Sequence, residues 1–122
     1  MKRLVVMLLL STLVAACGGE SSDGPELLGR ELFHQIVVGG KAGCGSCHPV
    51  EAGKDGVGPS LAGVGTAAAG RVGGLTAVDY LRRSITEPDS FVVEGFNAGV
   101  MPGGWDLSDE QIESLVEYLL DL

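Results

Sequence analysis

The chain has 122 residues, 45% of them hydrophobic but only 5% aromatic, with 20 glycines, three cysteines and a formal charge of −8. Its length admits one domain, and so few aromatics make a thin core that a bound cofactor would have to supplement. The acidity excludes a nucleic-acid partner, which needs a basic footprint, and three cysteines cannot all pair within one chain, which excludes a disulfide scaffold.

In chain order, Lys2 and Arg3 precede an apolar run from Leu4 to Ala16 that is interrupted only by Ser11 and Thr12. The run falls short of the roughly 20 residues that a membrane-spanning helix needs. A basic start, a short apolar run and small residues at its end describe a secretory leader. Its end, Leu13-Val14-Ala15-Ala16-Cys17, resembles the bacterial lipoprotein signal box, which implies cleavage before Cys17 and lipidation of that cysteine. Residues 1–16 are then the signal peptide, and 17–25 a lipidated cysteine with a Gly- and Ser-rich flexible tether. Residues 26–122 form the folded domain. Loss of Lys2 and Arg3 with the leader deepens the charge from −8 to −10.

Within the domain, the spacing of Leu28, Leu32 and Phe33 predicts a first helix over 26–38 that dissolves at Gly39-Gly40. From 39 to 74 the glycines cluster and no period persists, which predicts loops and short turns. Thr76, with Asp79 three residues on, caps a helix that ends before Pro88, and residues 87–106 read as another irregular loop. The last helix has the clearest signals. Ser108 and Gln111 make a capping box, Leu107 and Ile112 a hydrophobic staple. Ile112, Leu115, Val116, Leu119 and Leu120 form one apolar stripe. Glu110, Glu113, Glu117 and Asp121 lie on the opposite, solvated face. With no strand pattern of useful length, the class is all-α.

Cys44-Gly45-Ser46-Cys47-His48 is a CxxCH motif. Two thiols at this spacing can bond the two vinyl groups of haem, and the histidine that follows then supplies an axial ligand. A thioredoxin-like redox pair would need a preceding strand in a βαβ setting, which is absent from the pattern. A zinc site needs four ligands, and only His34 could join Cys44, Cys47 and His48. For the sixth iron position, Met1 and Met7 depart with the leader, so Met101 is the one methionine left. It sits beside Pro102 in a loop just ahead of the last helix. Met101 is the expected ligand; His34 and an open site are the alternatives.

With these pieces in place, the chain resembles a class I c-type cytochrome over 26–122. The resemblance is carried by CGSCH at 44–48, GPSLAG at 58–63, YLRRSITEPDSFVVEGF at 80–96, Met101-Pro102, and LSDEQIESLVEYL at 107–119. It implies a cytochrome c fold, three to five short helices and long glycine-rich loops wrapped around one covalently bound haem c. It further implies that the first and last helices cross, with Gly29 and Phe33 against Val116, Tyr118 or Leu119. The Pro59 carbonyl would accept the His48 Nδ1–H, and Leu61 would pack on the haem. Arg71 resembles a basic residue that meets a haem propionate, a role for which Trp105 and Tyr80 are also placed. The segment Gly63 to Ala68 fits a dinucleotide fingerprint, but it follows no strand and is set aside as a loop at the haem edge.

Cysteine-linked haem with His48 and Met101 on the iron implies electron transfer rather than substrate chemistry, the potential being raised by the thioether. The expected protein is a membrane-tethered electron carrier. Its lipid would sit on the outer face of the bacterial cytoplasmic membrane or the periplasmic face of the outer membrane. Its acidity suits a redox partner, protein or membrane complex, with a basic docking surface. An accessory haem subunit of a respiratory oxidase or dehydrogenase is the alternative, because YLRRSITEPDSFVVEGF is similar to haem domains attached to such oxidases. A sensor or peroxidase with an open distal site is a third.

Overall fold

A computed structural model describes residues 24–122; the expected signal peptide and Cys17 lie outside the described residues. Four helices, α1 (Pro25–His34), α2 (Val64–Ala68), α3 (Ala77–Thr86) and α4 (Asp109–Leu120), are joined by loops, two one-turn 3-10 helices and a two-stranded hairpin. The all-α class holds.

The three longer helices start where local chemistry directs. Pro25 occupies the first turn of α1, where its missing N–H costs nothing. Reciprocal capping boxes open α3 (Thr76 with Asp79) and α4 (Ser108 with Gln111). Along α4 the stripe Ile112, Leu115, Val116 and Leu119 is buried, while Glu110, Glu113, Glu117 and Asp121 are exposed. Glu113 also pairs with Arg82 of α3.

Helices α1 and α4 cross at two small residues. A Cβ on Gly29 would overlap the Ser114 carbonyl, so only glycine permits this approach. Beside that contact the Phe33 and Tyr118 rings lie 5.4 Å apart. Ser114 is itself 1% exposed, its hydroxyl donating to the Glu110 carbonyl at 2.9 Å. The partner of Gly29 at the crossing is thus Ser114 as well as Tyr118. Helices α2 and α3 close the core with Val64, Ala68, Tyr80, Leu81 and Ile85.

Two local expectations give way. The first helix stops at His34 rather than running to 38, because the β-branched Ile36, Val37 and Val38 favour extended backbone. Val37–Val38 (β1) pairs antiparallel with Lys41–Ala42 (β2), Val37 opposite Ala42. Gly39 and Gly40, at φ +51° and +75°, form the two-residue turn between them, a geometry that glycine adopts without strain. The segment read as a loop at the haem edge contains α2 instead. Gly63 precedes it at φ +72°, and a Cβ on Gly65 would overlap the Leu120 carbonyl. Of the two glycines in the apparent dinucleotide fingerprint, Gly65 therefore serves close packing on α4 and Gly63 the left-handed turn into α2. A five-residue helix held by such docking leaves little periodic signal.

Candidate functional site

Cys44–Ser46 form a 3-10 turn welded to the end of α1. Gly43 N–H donates to the Ile36 carbonyl at 2.8 Å, and a Cβ on Gly43 would overlap the Gln35 carbonyl. The His48 and Cys47 N–H groups then return to the Cys44 carbonyl at 3.0 and 3.1 Å. This tight turn presents both thiols, free and half-buried, and His48 to one cleft. Burial raises the Cys44 thiol pKa; a backbone hydrogen bond lowers it and the neighbouring Cys47 raises it further.

His48 Nδ1 lies 3.0 Å from the Pro59 carbonyl oxygen. A carbonyl can only accept, so Nδ1 is the donor of this bond, which leaves Nε2 as the ring nitrogen available to a metal. The ring lies so close to Gly58 that a Cβ there would stand 2.7 Å from Nδ1. The Gly58 N–H is tied to the Cys47 carbonyl at 3.0 Å. Glycine at 58 is therefore a condition of the ring's seat.

The cleft is open to solvent and holds about 1310 Å³ of empty space, counting its mouth. Pro59, Leu61, Arg71 and Met101 all line it together with Cys44, Cys47 and His48. Met101 and Leu61 are half-buried and Arg71 is exposed. His34 is not among the lining residues of this cleft. It packs edge-on against Phe33, and its Nε2 is 3.4 Å from the Tyr118 hydroxyl. Pattern reading missed Phe91, Val92, Phe96 and Asp89, which come from the irregular 87–106 loop where no period marks an inward face.

The cleft fits a haem on its own chemistry. Its wall is mainly apolar, its two thiols stand beside a histidine with a free Nε2, and it contains an orphaned donor. Trp105 lines it, and Trp105 Nε1 is the one buried side-chain polar atom without a hydrogen-bond partner among the described residues. A buried unpaired donor costs about 1–3 kcal/mol, so a carboxylate arriving with the cofactor would relieve it. Tyr80, the other candidate donor, is buried with its ring against Phe91 at 5.7 Å. Among the described residues, no three His, Cys, Asp or Glu side chains are grouped to hold a metal ion by themselves.

Fold and cleft define a small helical haem protein with covalent attachment through Cys44 and Cys47. Comparison with known proteins agrees. Residues 28–122 match the family model described as cytochrome c. Cytochrome c2 iso-2 of Magnetospirillum molischianum is 36% identical over 87 residues, which cover 65% of this chain and 90% of that protein. Cytochrome c2 iso-2 of Magnetospirillum fulvum is 44% identical over 63 residues, covering 49% and 66% respectively. The chain belongs to the cytochrome c family: it is a class I c-type cytochrome, a haem-based electron carrier bearing one covalent haem c.

Proposed function

We propose that this cytochrome is an exported electron carrier, held at a membrane by lipid on Cys17, with His48 and Met101 as the two protein ligands of its iron. The observation that carries the ligand reading is that Met101 lines the same cleft as Cys44, Cys47 and His48, whereas His34 does not. Bound haem supplies a one-electron ferric–ferrous couple. The chain's residues then set its terms. Pro59 fixes the His48 tautomer, the Met101 thioether favours the reduced state, and Leu61 and Phe91 keep water from the cleft. Arg71 and Trp105 are the candidate donors to haem carboxylates. Two protein ligands leave no coordination position for a substrate, which suits electron exchange.

Among the described residues no helix is long and apolar enough to cross a membrane. Tethering therefore rests on the lipoprotein-like box at Cys17, and export on the leader and on thioether attachment. The acidic face of α4 supports a partner with a basic surface, whose association would weaken as salt rises.

The test is the optical spectrum and midpoint potential of the purified protein beside Met101→Ala. Loss of the ferric thioether charge-transfer band and a lower potential are expected. An unchanged band and potential overturn the ligand reading. For the tether, mass spectrometry of detergent-extracted protein should find acyl chains on Cys17, absent in Cys17→Ala.

A further inference from the structure

The loop that carries Met101 is held on both sides by one short turn. Pro88–Ser90 form a 3-10 turn directly after α3, with Glu87 N–H bonded to the Arg83 carbonyl at 2.7 Å and Ser90 N–H to the Glu87 carbonyl at 2.9 Å. From this turn the Asp89 carboxylate accepts the Gly99 N–H at 2.7 Å, two residues before Met101. Gly103, two residues after Met101, rests on the Pro88 ring, where a Cβ would stand 3.3 Å from Pro88 Cδ. Gly99 at φ +75° and Gly104 at φ +65° let the backbone bend around these anchors. Pro88, Asp89 and Met101 all line the cleft. Among the described residues Asp89 forms no ion pair, so the Gly99 bond is the task its carboxylate performs.

We infer that the Pro88–Asp89 turn is a clamp that holds Met101 in ligating position, with Asp89 as its positioning residue. This rests on the reading of Met101 as a ligand. A side chain offered only part of the time binds with an affinity reduced by that fraction. Releasing Gly99 therefore weakens the Met101 bond and opens its position to competing ligands. Because Asp89 is exposed, water screens the bond and its contribution is moderate.

The experiment is imidazole titration of the ferric holoprotein, followed optically, since imidazole competes for the position that Met101 fills. Asp89→Ala should bind imidazole about fivefold more tightly, the equivalent of one ordinary net hydrogen bond. Asp89→Asn keeps an acceptor oxygen without the charge and should show about a twofold change. Asp79→Ala removes the carboxylate half of the α3 capping box and so costs some fold stability, but should leave imidazole affinity at the wild-type value. Wild-type affinity in both Asp89 variants, with the charge-transfer band present in wild type and lost in Met101→Ala, overturns the clamp alone. So does an Asp79→Ala effect as large as that of Asp89→Ala. If Asp89→Ala yields no folded holoprotein, Asp89→Asn decides. A wild type without the band, unaltered by Met101→Ala, removes the ligand reading and the clamp with it.

Discussion

The two protein walls of the cleft are built differently. Around His48, backbone bonds follow one another closely: Ser46 to Gly43, His48 to Cys44, Gly58 to Cys47, and Leu61 to Pro49 at 2.8 Å. Glycines at 43, 56 and 58 sit where a Cβ would collide with backbone or with the His48 ring. Around Met101 the chain from Phe91 to Trp105 is held more sparsely, by a Phe96-to-Val93 turn bond, the Asp89–Gly99 bond, and the pinning of Asp106 N–H on Gly39. A wall made of interlocked backbone opens only when the fold does. A wall held by a few isolated bonds can open locally at lower free energy. With Met101 as the proposed ligand, ligand exchange should therefore begin on its side of the cleft.

Four substitutions of graded effect would break or sharpen that contrast. The largest effect should come from Gly29→Leu, which drives a side chain into the Ser114 carbonyl where α1 and α4 cross. Chemical denaturation should show a loss of about 3 kcal/mol or more, at the upper end of overpacking costs. Next is Gly58→Ala, whose methyl must displace the His48 ring or the Cys47–Gly58 backbone. A loss of about 1–3 kcal/mol, together with a changed midpoint potential, is expected. An unchanged potential would show that the His48 wall is softer than its packing implies.

Trp105→Phe should cost the holoprotein about 1 kcal/mol in the same measurement, as one net hydrogen bond is lost. It tests whether the orphaned Nε1–H finds its partner on the haem, and a neutral or stabilising result would deny that role. Smallest is Arg82→Ala, which breaks the partly exposed pair with Glu113 and should change stability by no more than about 1 kcal/mol. Because that pair touches neither wall directly, imidazole affinity should stay at wild type.

Much of this architecture was legible before any coordinates. Cys44, Cys47 and His48 are adjacent in the chain, so their chemistry is readable as a motif. The Thr76 and Ser108 caps act over three residues. Met101, the proposed ligand, could be singled out by counting methionines outside the expected leader. Ser114 escaped notice because a serine interrupts an apolar stripe, and its smallness matters only once Gly29 faces it. The Gly39-Gly40 pair is a hairpin signal, but strands of two residues left no alternation around it. Asp89 stands in a segment without period, and nothing local marks a carboxylate that bonds ten residues ahead.

The division follows the range of the forces. Sequence alone determined what depends on neighbours: the attachment motif, the capped helices, the apolar stripe of α4 and the acidity of its outer face. Tertiary structure decided what depends on close approach between distant segments. Gly29 against Ser114, Gly65 against Leu120 and Gly103 against Pro88 are contacts of this kind. So is the hold of Asp106 on Gly39, at 3.2 Å. Each is a steric or hydrogen-bond condition on two places at once, and a linear pattern carries no measure of the distance between them.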